Sequence, residues 1–322
     1  MRKYPNKSKS RMFFIIKKKN KLVEFLMPEN NLLKKLRENQ FVKVCGAFDV
    51  MSAKLAEMNG FDAIWASGFG ISSARALPDA GIITMTELLD AVTFMAEACD
   101  IPIIADCDTG YGGPNNVAHL VKKFENAGIG GICIEDKTFP KENSLYKGGK
   151  QVMISKRDFV AKLVAAKNAK KNDDFVIIGR VEALIADLGV EEALNRASAY
   201  EDAGADIIFV HSRKESPDEI FEFLKQWKGK IPIMIIPTAF PTVTLDELKS
   251  HGVRMVVYAH QTTLAAFAAV SDVVKQLSKI NSLSDLNAKM ATMEDLFKLQ
   301  GMQKIRDHES FIEEEIKKLD LN

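Results

Sequence analysis

The chain has 322 residues, of which 47% are hydrophobic and 27% are charged, and its formal net charge is +1. This apolar content is enough for a substantial core in one large or two ordinary domains, which argues against a disordered chain. Residues 1–27 hold nine Lys and Arg against one Glu, a charge of +8, so the remainder carries −7. A slightly acidic body lacks the dense positive surface that nucleic-acid binding requires, so we expect no nucleic-acid partner.

The four cysteines and the apolar runs indicate a cytoplasmic location and no membrane partner. Cys45, Cys99, Cys107 and Cys133 form no CxxC pair, a spacing that favours reduced thiols over disulfides or a zinc site. The apolar patch from Met12 to Ile16 is too short for the core of a signal peptide. No run approaches the roughly 18 uninterrupted apolar residues of a membrane span.

From residue 42 onward, short apolar runs alternate with longer amphipathic segments. We predict strands at Val42–Ala47, Ala63–Ser67, Ile101–Asp106, Gly131–Glu135, Phe175–Val181, Asp206–Val210, Ile231–Ile236 and Met255–Ala259. The predicted helices are Met51–Met58, Met85–Ala98, Asn115–Ala127, Lys156–Lys170, Val190–Ala203, Pro217–Trp227 and Leu245–His251. Eight apolar strands alternating with helices predict an α/β fold, a closed (β/α)8 TIM barrel. An open doubly wound sheet is the alternative, but no GxGxxG motif follows the first strand.

The two ends of the chain fall outside the barrel repeat. We assign residues 1–27 to a basic extension that we expect to be flexible, 28–272 to the barrel, and 273–322 to a C-terminal helical segment. The extension is either a stretch that precedes a natural start at Met27 or a lysine-rich contact arm. The C-terminal helical patterns, Met293–Gln300 and Ser310–Lys318, are expected to pack on the barrel or on a neighbouring subunit.

In a TIM barrel the active site lies at the C-terminal ends of the strands. Polar and aromatic residues are concentrated at those ends of the second to sixth predicted strands: Trp65, Ser67, Asp106, Asp108, Glu135, Asp136, Arg180, Glu182, His211 and Ser212. This concentration predicts a catalytic site at that end of the barrel.

Three of these carboxylates predict a metal site. If the third strand continued through Cys107, Asp106 and Asp108 would point to the same side, and Glu135 would reach in from the next strand. Converging carboxylates repel one another unless a cation neutralises them, and oxygen ligands without His or Cys suit Mg²⁺, with Mn²⁺ as a substitute. The alternative is a buried ion-pair network of the same acids with Arg180 and nearby lysines.

The other strand ends carry groups that could bind an anion. Arg180 is suited to bidentate contact with phosphate or carboxylate, unless it only pairs with Glu182 or Asp206. His211 stands at a strand end, which favours a ligand contact over a core position. The turn from Ser67 to Gly70 either offers amides to a developing oxyanion or is an ordinary βα turn.

The segment Lys137–Lys150, called the lid segment below, is longer and more polar than a minimal connection. It carries lysines at positions 137, 141, 147 and 150. A cationic segment that closes over an anionic substrate excludes water and strengthens the electrostatic contacts inside. We interpret it as a lid, with a solvated charged loop as the alternative.

Several motifs, in this order, resemble the phosphoenolpyruvate mutase/isocitrate lyase superfamily. They are Trp65-Ala-Ser-Gly68, Asp106-Cys-Asp-Thr-Gly-Tyr-Gly112, Glu135-Asp-Lys-Thr-Phe-Pro-Lys-Glu-Asn-Ser144, Arg180-Val-Glu182 and His211-Ser212. The similarity covers roughly residues 40–305. It implies a metal-bound enolate of an α-keto acid, and the lid sequence resembles the mutase branch. That branch moves a phosphoryl group between phosphoenolpyruvate and phosphonopyruvate, so these are the implied substrates.

The resemblance also implies roles for individual residues. It implies that Asp106 binds Mg²⁺ directly, while the metal's waters are held by Asp79, Asp108 and Glu135. The pyruvyl oxygens would be held by Ser67 and the amides of Gly68 and Phe69, beside the wall formed by Trp65. The phosphoryl group would be bound by Arg180 and His211, with the pocket completed on lid closure by Lys141, Asn143 and Ser144. Asp79 could instead accept the phosphoryl group transiently. A homotetramer of dimers that exchange C-terminal helices is also implied.

Two positions depart from the family pattern, and three other functions stay open. Cys107 replaces a usual Ala, and Phe69 a smaller aliphatic residue. A phosphonopyruvate hydrolase shares the site but typically has Thr at the position of Asn143. A methylisocitrate-lyase-like enzyme would need a Lys-Lys-Cys-Gly-His lid, and no cysteine lies between residues 137 and 150. A non-enzymatic barrel that binds an anionic metabolite is the last alternative.

Overall fold

The computed structural model describes residues 17–18, 21–22 and 32–319, and it confirms the predicted barrel. Eight parallel strands follow one another around it: β1 (Val42–Ala47), β2 (Ala63–Ala66), β3 (Ile103–Asp106), β4 (Gly131–Glu135), β5 (Val176–Val181), β6 (Ile207–Val210), β7 (Ile233–Ile235) and β8 (Met255–Tyr258). Pairing of Met255 with Val42 joins β8 to β1 and closes the barrel. The predicted strand ends differ from these by at most two residues.

Helices surround the strands and continue beyond them. They are α1 (Leu32–Arg37), α2 (Val50–Met58), α3 (Gly68–Ala74), α4 (Met85–Ala98), α5 (Pro114–Asn126), α6 (Lys156–Ala169), α7 (Gly189–Asp202), α8 (Asp218–Gln226), α9 (Leu245–Ser250), α10 (Gln261–Leu277), α11 (Met293–Gln300) and α12 (Met302–Lys318). Local sequence defines several starts. At α4, the Thr84 side chain accepts a hydrogen bond from the amide of Glu87, whose carboxylate accepts one from the Thr84 amide.

The hydrophobic core has two parts because strand side chains alternate between the two faces of the sheet. Val44, Trp65 and Phe209 point into the barrel and pack with the side chains of neighbouring strands. Ile64 and Ile177 belong to the larger layer between the strands and the surrounding helices. Burial on both faces explains why the strands read as continuous apolar runs in the sequence.

The sequence prediction missed three helices: the long α10 and the two short helices α1 and α3. The leucines of α1, Leu32, Leu33 and Leu36, are buried together with the interior residues of the barrel. Helix α3 begins after Ser67, whose hydroxyl accepts a hydrogen bond from the amide of Gly70 at 3.1 Å. The Ser67–Gly70 turn is therefore the first turn of a helix, and Ser67 lies just beyond the end of β2.

Three further features concern the N-terminal extension, the exposed surface of α10 and the possibility of a membrane span. The predicted flexible extension, residues 1–27, lies outside the described residues except for a short antiparallel pair of Lys17–Lys18 with Lys21–Leu22. Helix α10 presents Phe267 and Val270 with exposed fractions of 75% and 62%. Over the described part of the chain, none of the helices combines the length and apolar character needed to span a membrane.

Candidate active site

The carboxylates of Asp106 and Asp108 meet beside a glycine. β3 ends at Asp106, and Asp108 has a φ of 48°, so the two side chains do not share a continuing strand as the sequence analysis supposed. The two carboxylates nevertheless both point toward Gly68. An oxygen of each lies 3.5 Å from the position that a Cβ on Gly68 would occupy. The missing side chain of Gly68 therefore leaves open space in front of both carboxylates.

Glu135, at the end of β4, is buried behind this pair. Arg180 Nη1 lies 3.2 Å from its Oε2 atom and Lys137 Nζ lies 3.5 Å from Oε1. Neither oxygen accepts a hydrogen bond that satisfies normal geometry from the described residues. Buried carboxylate oxygens without hydrogen bonds are costly unless a further group approaches them.

The lid segment closes this end of the barrel. The ammonium of Lys141 lies 2.7 Å from Asp79 Oδ1 and 2.8 Å from Asp108 Oδ1. Asn143 Nδ2 donates a hydrogen bond of 2.6 Å to Asp79 Oδ2. Lys141 and Ser144 are buried. The part of the segment from Lys141 to Ser144 thus covers the site, and the interpretation as a solvated loop is wrong for this part of it.

Arg180, Glu182 and His211 form the opposite side of the site. Arg180 Nη2 is 2.8 Å from His211 Nδ1 and donates to Ser144 Oγ at 2.9 Å. Glu182 pairs with the Nε of Arg180 and lies 3.0 Å from His211 Nδ1. Ser144 also donates to Glu182. The predicted pairing of Arg180 with Glu182 is therefore present, and it holds the guanidinium at the mouth of the barrel.

Burial and charge set the protonation states of these groups. Burial raises the pKa of Asp106 to about 7, against the opposing charge of Lys141 and with a further rise from Asp108. Burial lowers the pKa of His211, and the positive charge of Arg180 lowers it further, so the imidazole is neutral near pH 7. Burial also lowers the pKa of Lys141, but the surrounding carboxylates outweigh it and the net pKa lies well above its usual value.

The residues present fit a divalent cation. Five carboxylates (Asp79, Asp106, Asp108, Glu135 and Glu182) and three cations (Lys137, Lys141 and Arg180) leave two negative charges when all are ionised. Both Glu135 oxygens and Asp108 Oδ1 have ion-pair contacts but no hydrogen bond of normal geometry from the described residues, and such carboxylate oxygens suit a hydrated divalent cation. Within the described residues, however, no three acidic, His or Cys side chains are grouped closely enough to bind a metal directly. Mg²⁺ commonly keeps several of its waters, so a site in which Asp106 binds the ion directly and the other acids hold its waters stays a prediction.

Nine of the thirteen predicted site residues line one small cavity of about 30 Å³: Trp65, Phe69, Asp79, Asp106, Lys141, Asn143, Ser144, Arg180 and His211. The other four (Ser67, Gly68, Asp108 and Glu135) lie outside its lining. Such a volume holds no more than one or two waters, so the lid segment fills most of the space between these residues. A larger cavity of about 710 Å³ adjoins it and shares Phe69, Asp79 and Asn143 in its lining.

Two residues of the site, Lys137 and His260, were not among the predicted site residues. Lys137 was counted as a lid cation, but its ammonium is fully buried and donates to the carbonyl of Glu142 at 2.7 Å and to Ser144 Oγ at 2.8 Å. It anchors the base of the lid. His260, two residues after the end of β8, lines both cavities. Its position just after the eighth predicted strand was the available signal, because polar residues there face the site.

Known proteins resemble this chain over most of its length, in sequence and in structure. Residues 33–278 match the family described as phosphoenolpyruvate phosphomutase. The chain is 41% identical over 260 residues to the phosphoenolpyruvate phosphomutase of Tetrahymena pyriformis, covering 81% of this chain and 87% of that protein. It is 40% identical over 282 residues to the phosphonopyruvate hydrolase of Variovorax sp., covering 87% and 97%. A crystal structure of phosphonopyruvate hydrolase with oxalate and Mg²⁺ superposes with a TM-score of 0.81 at 39% identity, covering 87% of this chain and 96% of that one.

Proposed function

Because the chain belongs to the phosphoenolpyruvate phosphomutase family, within the phosphoenolpyruvate mutase/isocitrate lyase superfamily, we propose that it is a phosphoenolpyruvate mutase. It would interconvert phosphoenolpyruvate and 3-phosphonopyruvate with Mg²⁺ as its cofactor. The reaction moves a phosphoryl group between the enol oxygen and the methylene carbon of one molecule. No water takes part, so the site must hold the two fragments and keep water away from the phosphorus.

The position of Asn143 is the observation that carries the choice of a mutase. Its amide donates to Asp79 at 2.6 Å, and its Oδ1 accepts a hydrogen bond from the amide of Leu145 at 2.9 Å. The side chain is thus fixed in the lining of the closed cavity. An amide of this size would occupy the space beside the phosphoryl group that a water needs for attack.

The phosphoryl group would lie against Arg180 and His211. The guanidinium supplies positive charge, and its orientation is set by Glu182 and Glu135. The neutral imidazole supplies a hydrogen-bonding nitrogen next to it. Fixed donors around the equatorial oxygens stabilise a metaphosphate-like transition state, which carries its charge on those oxygens.

The pyruvyl half would lie near Asp106 and the start of α3, with Trp65 and Ser67 beside it. The first amides of a helix have no intrahelical acceptor, so Gly68 and Phe69 could donate to the oxygens of the enolate. Asp106 would hold Mg²⁺ directly, and Asp79, Asp108 and Glu135 would hold its waters. When bound, Mg²⁺ supplies positive charge to the pyruvyl oxygens; Mn²⁺ could replace it.

Lys141 and Ser144 would link the lid to both halves of the site. Lys141 bridges Asp79 and Asp108, and Ser144 joins Arg180 to Glu182. Lid closure would therefore depend on the same charged groups that bind the substrate, so that reaction begins only when water has been excluded.

Hydrolysis of phosphonopyruvate is the second candidate, because a hydrolase at 40% identity covers most of the chain. It differs from the mutase only in the acceptor of the phosphoryl group, which would be water. A lyase is less favoured, since the lid holds no cysteine between residues 137 and 150. We also propose a cytoplasmic homotetramer whose C-terminal segment, residues 273–322, packs on a neighbouring subunit.

A coupled spectrophotometric assay separates the two reactions. Phosphonopyruvate and Mg²⁺ are added to the protein together with lactate dehydrogenase and NADH. Pyruvate from hydrolysis oxidises NADH at once, whereas phosphoenolpyruvate does so only after pyruvate kinase and ADP are added. We expect a signal that requires pyruvate kinase. A signal without it identifies a hydrolase, and no signal in either case rejects both activities.

A further inference from the structure

His260 occupies a position in the site that the roles proposed above leave unexplained. It lies two residues after the end of β8 and lines the small inner cavity together with Arg180, His211 and Asn143. Its backbone is fixed, because its amide donates to Gln261 Oε1 at 3.1 Å and its carbonyl accepts from the amide of Leu264 at 3.0 Å. The ring is thus held at the mouth of the barrel by the start of α10.

The imidazole of His260 has an unused hydrogen-bonding atom. Its Nδ1 atom is buried and has no hydrogen-bond partner among the described residues. The ring meets Phe69 edge to face, with centroids 5.1 Å apart. That contact positions the ring but engages no nitrogen. A buried nitrogen without a partner is costly, so a native site that retains one is expected to fill it with a ligand or water.

The charged groups around His260 keep it neutral. Burial is the main cause that lowers its pKa to about 4, and the nearby His211, just after β6, and the positive charge of Arg180 on β5 contribute to the same shift. The negative charge of Asp79, between α3 and α4, raises the pKa of His260, whereas the positive charge of Lys141 in the lid lowers it. A neutral imidazole carries one N–H donor, and near Arg180 an anionic oxygen is the acceptor most compatible with the local charge.

We propose that His260 is a further substrate-binding residue, and that its Nδ1–H donates a hydrogen bond to an oxygen of the phosphoryl group. The inference rests on the proposed function, because it requires the phosphoryl group to lie on the side of Arg180 and His211. The oxygens of the pyruvyl half would instead be held by the group at Asp106 and by the first amides of α3.

Two substitutions separate hydrogen bonding from packing. His260→Phe keeps a ring against Phe69 but removes both nitrogens. His260→Asn loses the ring, but its amide nitrogen reaches about the place of Nδ1. If the hydrogen bond matters, His260→Phe lowers kcat/KM for phosphonopyruvate by about 10- to 100-fold, the scale for a hydrogen bond to a charged group. His260→Asn then retains activity within a few-fold of the wild type.

Calorimetric titration of oxalate in the presence of Mg²⁺ gives the control, because oxalate resembles the pyruvyl half and has no phosphoryl group. Both variants are expected to bind oxalate as the wild type does. The proposal is overturned if His260→Phe remains active while His260→Asn does not, since packing is then the role. Loss of oxalate binding in both variants also overturns it. Wild-type protein that binds oxalate but neither binds nor converts phosphonopyruvate would reject the proposed function, and the role of His260 with it.

Discussion

Replacing Asp106 with Asn should stabilise the metal-free protein, which is an unusual outcome for a buried site residue. Asp106 ionises near its ordinary value of 3.8 in the unfolded chain and near about 7 in the fold. The metal-free fold therefore loses stability as the pH rises from about 4 to about 7. At pH 8 the full cost is present, on the order of 4 kcal/mol. Asn has nearly the same shape without the charge, so the substitution removes this cost.

Chemical unfolding in EDTA and in Mg²⁺ measures the effect. In EDTA at pH 8, we expect Asp106→Asn to be more stable than the wild type by up to about 4 kcal/mol, with less than half of that gain at pH 5. Saturating Mg²⁺ should stabilise the wild type by about 3 kcal/mol at 100 times its Kd and leave the variant nearly unchanged.

A surface aspartate provides the matched control for this comparison. Asp202 is exposed at the end of α7, so Asp202→Asn should change stability by less than about 0.5 kcal/mol in either buffer. The reasoning fails if Asp106→Asn is less stable than the wild type in EDTA at pH 8. It also fails if Mg²⁺ stabilises both proteins equally, because Asp106 would then not be a ligand.

Three further predictions concern the lid and the assembly. Asn143→Thr should shift the products of phosphonopyruvate from phosphoenolpyruvate toward pyruvate and phosphate, and Asn143→Ala should lose roughly 10²-fold in rate; an unchanged ratio in an active Thr variant would place water exclusion elsewhere. Lys137→Met should cost on the order of 3–5 kcal/mol in urea unfolding because the buried acids Glu135 and Glu182 lose one of their two cationic partners, whereas Lys147→Met, at an exposed lid position, should be nearly neutral. Light scattering should find a tetramer, since α10 exposes apolar residues such as Phe267, and a monomer at micromolar concentration would contradict this.

The barrel could be predicted because its strands are buried on both faces. β5 reads Val-Ile-Ile-Gly-Arg-Val and all six residues are buried, so the apolar run is visible without any partner. In a parallel barrel the C-terminal ends of all strands lie at one end of the barrel. Asp106, Arg180 and His211 could therefore be assigned to one site from the sequence alone. Helix α1 was missed because six residues are too few to show a helical pattern. Its leucines are buried only by contact with the interior residues of the barrel, which the local sequence does not reveal.

The interactions of charged residues could not be predicted in the same way. Lys137 and Lys147 look alike in the sequence, yet one is buried among Glu135, Glu182 and Ser144 and the other is exposed. The difference arises from strands far along the chain. Asp79 has no local pattern that marks it, and only the family resemblance indicated its place, where it meets Lys141 at 2.7 Å.

Phosphorus NMR of phosphonopyruvate with the wild-type protein and Mg²⁺ tests the proposed activity most directly, because each product has its own resonance. Running the reaction in ¹⁸O-labelled water adds a record of the phosphoryl acceptor. We expect a phosphoenolpyruvate signal that grows as phosphonopyruvate declines, with no early phosphate and no ¹⁸O in the phosphoryl group. Phosphate that carries ¹⁸O as the first product would contradict the account, because the acceptor would then be water.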